Sequence, residues 1–138
     1  MVDSGYSRGV DDIRVPLEHG TATSLARRLA ERALRRWGLT DQADDVLLVT
    51  TELVQNVTEH TDDGGELRMA VSDDAILIEV TDTNPAPPRV RQLDPRRTGG
   101  RGMLLIASVA RRWGTHPAIW AGHHGKIVWA EIVRRLPR

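Results

Sequence analysis

Glu52 and Asn56, near the middle of the chain, are a carboxylate and a carboxamide spaced four residues apart. Side chains of these types at this spacing could form a polar site for catalysis or binding. At about 100° of rotation per residue, a helix would place Asn56 about 40° from Glu52, and His60 about 80° from it. The three side chains would then form one polar stripe, while Leu53 and Val54 pack on other faces. Such a stripe is either a solvated helix face or a polar site directed into a pocket, and this segment alone is compatible with both.

A glycine-rich segment, GGRG at residues 99–102, directly precedes an apolar run that starts at Met103. Glycines allow the backbone to bend close to phosphates, and a helix N-terminus offers unpaired N–H groups and positive potential. The segment is not a Walker A loop, because no Gly-Lys-Ser/Thr follows, and not a Rossmann fingerprint, because a proline-rich loop precedes it. The alternative interpretation is a flexible loop before a core helix.

Two further groups of residues each have two interpretations. Asp82 stands at the end of an otherwise apolar predicted strand. An aspartate there is commonly a turn former, but a carboxylate in a pocket could accept a hydrogen bond from an exocyclic amine, such as that of adenine. His116, His123 and His124 raise the idea of a metal site. A glycine-bounded turn without acidic or cysteine neighbours favours plain turn residues instead.

Two predicted helices come first in the chain. Apolar residues at every fourth position predict a helix over residues 23–37, which Gly38 ends. A second helix is predicted over residues 41–60, with Asp41 as its cap. This second helix carries the polar stripe.

Alternating apolar residues predict the strands. Residues 13–17 form one, at a sheet edge because Pro16 cannot donate a backbone hydrogen bond. Residues 67–71 and 76–80 predict an antiparallel hairpin that leads to Asp82.

The segment at residues 83–98 contains four prolines, which exclude a helix interior or a central strand. A loop of this length in a small domain is usually functional or disordered. The helix that starts at Met103 is then predicted to end with Arg111 and Arg112 in its last turn and with Gly114 as its stop.

A closing hairpin in residues 117–133 completes the order strand, two helices, hairpin, loop, helix, hairpin. This order predicts an α/β two-layer sandwich, with helices on one face of a mainly antiparallel mixed sheet. The 138 residues fit a single domain over residues 12–138, preceded by a flexible arm over residues 1–11. The formal net charge of zero argues against a general nucleic-acid or membrane-surface binder. The chain has no cysteine, no apolar run of transmembrane length and no signal peptide, so we expect a cytoplasmic protein.

Together these segments resemble the GHKL ATPase superfamily, which has the Bergerat-type ATP-binding fold. The resemblance rests on ELVQNVTEH in the second helix, DTNP after the strand, GGRGMLL at the start of the third helix and GKIVW in the closing strand. It runs from about Ile13 to Val133. Within the superfamily the chain is most similar to the anti-sigma-factor serine/threonine kinases and the stand-alone regulatory ATP-binding proteins.

The resemblance implies a role for each candidate residue. Glu52 would be the general base that orients an attacking hydroxyl or water. Asn56 would coordinate a Mg²⁺ ion that bridges the phosphates of ATP, and Asp82 would accept a hydrogen bond from the adenine amine. Arg97 or Arg101 would stabilise the negative charge on the transferred phosphoryl group. The other nucleotide contacts would come from the turn after Asp82 and from the glycine-rich lid, namely Asn84, Gly100, Arg101, Gly102 and Met103.

Two positions depart from the pattern of the superfamily. Asn84 stands where glycine is usual, although asparagine tolerates positive φ. Ile127 stands where a threonine often contributes a hydroxyl near the adenine. Both changes make weak nucleotide binding or lost kinase activity plausible.

The resemblance therefore leads to one expectation with two alternatives. We expect an anti-sigma factor with serine/threonine kinase activity toward a small antagonist protein, using ATP and Mg²⁺. The first alternative is a non-catalytic protein-binding regulator with the same fold, and the second is a simple ATP hydrolase or a detached histidine-kinase catalytic domain. The expected partners are a sigma factor, an antagonist protein or both, without direct contact to nucleic acid or membrane. Homodimerisation is implied by resemblance alone.

Overall fold

The computed structural model of the chain describes residues 11–17, 22–60, 65–82, 99–120 and 122–135. The strands and helices in these ranges are β1 Asp11–Leu17, α1 Ala22–Arg36, a 3₁₀ turn Thr40–Gln42, α2 Ala43–His60, β2 Gly65–Val71, β3 Ala75–Asp82, α3 Gly99–Val109, β4 Arg112–Trp120 and β5 His123–Val133.

Two of the sequence-based predictions fall largely outside these ranges, namely the flexible arm and the proline-rich loop at residues 83–98. Asp11, which we placed at the end of the arm, begins β1. Across the described part of the chain, no helix is both long enough and apolar enough to cross a membrane.

The five strands form one sheet in the order β1-β2-β3-β5-β4, and each of the four pairings is antiparallel. Alternate side chains along each strand face the helices. They form a continuous core with the apolar faces of α1, α2 and α3. Helix α2 contacts α1, α3 and β3, so it is the central helix of its layer. The predicted α/β two-layer sandwich is thereby confirmed.

Both edges of the sheet carry a proline. Pro16 lies in β1 and Pro117 in β4, which are the two edge strands, as the sequence predicted for Pro16. The sheet face opposite the helices carries charge pairs that cross the strands. Arg68 of β2 lies 3.1 Å from Asp12 of β1 and 2.9 Å from Glu79 of β3. One guanidinium therefore links three neighbouring strands.

Helix α1 ends at the predicted glycine. Gly38 has a φ of 71°, the left-handed conformation that glycine adopts without steric cost. The Gly38 N–H donates to Arg35 O at 3.1 Å and the Leu39 N–H donates to Leu34 O at 2.8 Å. Leu34 and Leu39 are both buried. These bonds and this apolar contact form a Schellman motif, which turns the chain toward α2.

The start of the second helix differs from the prediction. A 3₁₀ turn precedes α2, and Asp41 lies inside that turn rather than at a cap position. The residue before the turn, Leu39, makes no side-chain capping bond. The buried residue Gln42 instead anchors the junction through hydrogen bonds to the backbone at the end of β5 and just after it.

Both ends of α3 also differ from the prediction. The helix begins at Gly99 rather than at Met103, so the glycine-rich segment forms its first turn. The backbone N–H groups of this first turn have no intrahelical partner, as in any helix. The helix ends at Val109 and β4 begins at Arg112, so Gly114 is a strand residue and not a helix stop.

Candidate functional site

Glu52 and Asn56 lie on one flank of α2, and both are half-buried. The same helix is fixed to the core by Leu53, which is fully buried. At the start of α2, Asp44 and Asp45 are exposed, as expected for a solvated helix face. Glu52 and Asn56 are therefore less exposed than the acidic side chains at the start of the same helix, and their role in a polar site stays a prediction.

Asp82 is the last residue of β3 and is 3% exposed. Asp82 lies on the same face of β3 as the core residues Ile78 and Val80, because side chains two residues apart in a strand share a face. Its carboxylate therefore faces the helix layer from the end of an apolar strand. An ionised carboxylate accepts hydrogen bonds and cannot donate them. A buried acceptor at this place matches the role of reading an exocyclic amine.

Lys126 lies directly opposite Asp82 in the antiparallel pair of β3 and β5. Its Nζ atom is 3.0 Å from Oδ2 of Asp82, and the lysine is 6% exposed. A buried lysine is rare unless it is paired, and this pair satisfies that condition. The structure therefore brings a cation against the predicted amine-reading carboxylate.

Lys126 was not among the site residues predicted from the sequence. The chain does contain one signal, because Lys126 is the only lysine among nineteen basic residues. Its partner, however, is 44 residues earlier in the chain, and the pairing depends on the register between two strands that are not consecutive. No local pattern encodes that register.

Ile127 does not lie beside Asp82, contrary to the position assigned from the resemblance. It is paired with Thr81, and successive side chains of a strand point to opposite faces. Ile127 therefore shares the outer face of the sheet with Trp129, while Lys126 shares the helix-facing side with Val128. The polar group that the closing strand presents next to Asp82 is the ammonium of Lys126.

The glycine-rich segment forms the first turn of α3, where backbone N–H groups point out of the helix without intrahelical partners. Further along the helix, Ile106 is fully buried in the core. The buried part of α3 thus holds in place the end that the resemblance assigns to phosphates, where partial positive charge favours anions.

Arg111 and Arg112, which follow α3, both bind the buried carboxylate of Glu131 on β5. The Nε atom of Arg111 is 2.9 Å from Oε1, and a terminal nitrogen of Arg112 is 2.8 Å from Oε2. The hydrogen bond from Arg112 and that from Arg111 hold the pKa of Glu131 below its ordinary value, although burial acts in the opposite direction. This contact fixes the end of α3 to the strand that carries Lys126.

Several predicted site residues lie outside the described part of the molecule. Asn84 and Arg97 belong to residues 83–98, of which nothing is described. The backbones of His60, Arg101 and Met103 lie in helices, but their side chains are not described. Their roles therefore stay predictions.

The described residues fit ATP with Mg²⁺. The buried carboxylate of Asp82 suits the amine of adenine, and the carboxamide oxygen of Asn56 suits a hard cation. Among the described residues no group of three or more His, Cys, Asp or Glu side chains could hold a metal ion. A Mg²⁺ ion at this site would therefore be held by Asn56 together with phosphate oxygens, and it would neutralise charge that develops on those phosphates.

The comparisons with known proteins agree with this geometry. A family model of the histidine kinase-like ATPase domain matches residues 16–131, from the end of β1 to the end of β5. No curated protein matches the chain significantly. The family match spans Glu52, Asn56, Asp82 and the glycine-rich turn of α3, and it covers most of the chain. The chain therefore belongs to the histidine kinase-like ATPase domain family.

Proposed function

We propose that this chain is an ATP-dependent regulator, an anti-sigma factor that phosphorylates a serine or threonine of a small antagonist protein. The observation that carries the proposal is the placement of Asp82, a buried carboxylate at a strand end, in a domain whose central helix carries Glu52 and Asn56 half-buried on its flank. The family match supports nucleotide binding. The choice of phosphoryl acceptor rests on the resemblance of the short motif set to anti-sigma-factor kinases.

In this proposal each residue has one task in phosphoryl transfer. Asp82 accepts a hydrogen bond from the base and Asn56 contributes an oxygen ligand to Mg²⁺. Glu52 accepts the proton of the attacking hydroxyl, while the new bond forms between that oxygen and the γ-phosphorus. The bond between the γ-phosphorus and the bridging oxygen breaks, and ADP leaves. The first turn of α3 offers N–H groups to the phosphates.

The second candidate is a non-catalytic regulator that binds a partner protein and has weak or lost nucleotide chemistry. One observation favours it, because Asp82 already has a charged partner in Lys126. A ligand must then share the carboxylate with an ammonium that is held 3.0 Å away. Under this candidate, partner binding does not depend on Glu52.

The first experiment is calorimetric titration of the full chain with ATP and with ADP, each in the presence of Mg²⁺. We expect saturable binding of both nucleotides. Absence of binding at millimolar nucleotide would remove the kinase proposal and leave the non-catalytic regulator.

The second experiment measures transfer of labelled γ-phosphate to candidate antagonist proteins. Glu52→Ala should abolish transfer while it leaves nucleotide binding and partner binding in place. Glu66→Ala is the matched control, because Glu66 is a half-buried glutamate on the opposite face of the sheet, paired with Arg14 at 2.8 Å. Binding of nucleotide without transfer to any antagonist would favour the second candidate.

A further inference from the structure

We propose that Lys126 is a second base-reading residue. It donates a hydrogen bond to the ring nitrogen of the base that lies next to the exocyclic amine, and that amine donates its own hydrogen bond to Asp82. This inference rests on the proposed binding of ATP and assigns a specificity-determining role to a residue of the closing strand. The pair would select a six-membered ring edge on which an amine stands next to an unprotonated ring nitrogen, as in adenine.

The position of the ammonium supports this role. Asp82 and Lys126 are direct partners in the register of β3 and β5, and both face the helix layer. Their side chains are 5% and 8% exposed, so the Nζ–Oδ2 contact of 3.0 Å is shielded from bulk water. A group that contacts one oxygen of the Asp82 carboxylate from the helix side therefore approaches within reach of the ammonium as well.

The chemistry of the two groups supports the same role. A carboxylate is only an acceptor of hydrogen bonds, whereas an ammonium is only a donor. Adenine presents a donor amine beside an acceptor nitrogen, N1, which matches an acceptor beside a donor. Guanine and hypoxanthine present an acceptor oxygen beside a protonated N1. In the same pose they would place oxygen against the carboxylate and N–H against the ammonium.

The choice of lysine at position 126 also supports this role. The chain uses arginine at eighteen of its nineteen basic positions and lysine only at position 126. A guanidinium tends to bind a carboxylate through two parallel hydrogen bonds and would then occupy both of its oxygens. The compact ammonium of Lys126 instead contacts a single carboxylate oxygen, Oδ2 of Asp82, at 3.0 Å.

The test compares ligands that differ by one atom. The native chain is titrated by calorimetry with ATP, with 1-deaza-ATP, which lacks the ring nitrogen N1, and with 7-deaza-ATP, which keeps it. We expect 1-deaza-ATP to bind about tenfold or more weakly than ATP, the loss expected for one hydrogen bond to a charged group. 7-Deaza-ATP should bind as ATP does. Equal affinities for ATP and 1-deaza-ATP would overturn the inference and leave ATP binding intact, whereas no binding of ATP would overturn both proposals.

Lys126→Met completes a thermodynamic cycle. This variant should bind ATP and 1-deaza-ATP equally, because the donor that distinguishes them is gone. Tighter binding of ATP by the variant than by the native chain would overturn the inference, since the lysine would then obstruct the site. Because the substitution leaves a buried carboxylate without its cation, its fold is checked by circular dichroism. The comparison of ligands on the native chain stands without the variant.

A direct readout of the ammonium is available because the chain has one lysine. Selective carbon-13 labelling of lysine gives a single ε-carbon resonance, which belongs to Lys126. ATP and 7-deaza-ATP should shift this resonance in the same direction, and 1-deaza-ATP should leave it closer to its position in the free protein. A resonance that ATP does not move would contradict a contact with the base.

Discussion

The side-chain amide of Gln42 donates a hydrogen bond to the carbonyl oxygen of Val133, at 2.7 Å and across 91 residues of sequence. Its Oε1 atom accepts a bond from the backbone N–H of Arg135, also at 2.7 Å. Gln42 is 3% exposed. One buried side chain thus joins the connection between α1 and α2 to the chain end of β5, and both of its polar ends are satisfied.

We predict that Gln42→Leu lowers the free energy of unfolding by about 2 kcal/mol, because a backbone carbonyl and a backbone N–H lose their partner in a poorly solvated place. Urea denaturation followed by circular dichroism measures the change. Thr40→Ala, at an exposed neighbour in the same turn, is the control and should change stability by less than about 0.5 kcal/mol. Equal effects of the two substitutions would show that the bonds of Gln42 contribute little.

Gly38 gives a second prediction, which concerns backbone conformation alone. Its φ is 71°, and a Cβ atom built there would have no atom within 4 Å. Gly38→Ala should therefore cost about 1 kcal/mol of stability through the left-handed backbone and not through a clash. Gly38→Asn should cost less, because asparagine tolerates this region better. Thermal or urea denaturation of the three proteins gives the order glycine, asparagine, alanine, and the reverse order of the two variants would refute the conformational explanation.

Glu131 gives a prediction about pH. Hydrogen bonds from Arg112 and Arg111 lower the pKa of this carboxylate from its ordinary value of 4.5. Because the pKa of Glu131 is lower in the folded state, the unfolded chain binds this proton more tightly than the folded chain does. The ionised carboxylate therefore stabilises the fold fully above pH 4.5. This contribution is lost as the pH falls through the folded-state pKa.

The test for Glu131 compares the native chain with Glu131→Gln over a range of pH. At neutral pH the variant should be less stable by about 1.5 kcal/mol, since hydrogen bonds to a charged acceptor become bonds to a neutral one. The difference should shrink as the solution is acidified below the ordinary pKa of the carboxylate. Glu66→Gln controls for general loss of negative charge. A stability difference that stays constant with pH would contradict the lowered pKa.

The regular elements were predictable because their signals are local. Apolar periodicity of 3.6 located α1 and α2, and alternation located β2 and β3 with Asp82 at the strand end. Gly38 was correctly predicted to end α1, because a left-handed glycine after a helix is specified by neighbouring residues. The position of Asn56 one turn after Glu52, on the same flank of α2, also follows from helix geometry alone.

The errors at α3 arose where local signals competed. Glycine has low helix propensity, which placed the predicted start of the helix at Met103, yet the helix begins at Gly99. Arg111 and Arg112 were interpreted as residues of the last turn of a helix. They bind Glu131 instead, and that partner is fixed by tertiary structure.

The contacts that the sequence could not predict are those that depend on strand register. Lys126 meets Asp82 because β3 pairs with β5 across an intervening helix and strand, and a shift of one residue would place Ile127 there instead. The bond from Gln42 to Val133 is of the same kind. Such contacts follow only once the order of strands in the sheet is known.

The two edge prolines affect how this domain can meet other proteins. A proline within an edge strand removes one backbone N–H group that could pair with an added strand. The donor is missing at Pro16 on one edge of the sheet and at Pro117 on the other. Each described edge thus lacks one donor that an added strand would need, which disfavours extension of the sheet by another polypeptide. Contacts between this domain and other proteins would then be made by its helices and by the charged face of its sheet, where side chains rather than backbone pairing decide the fit.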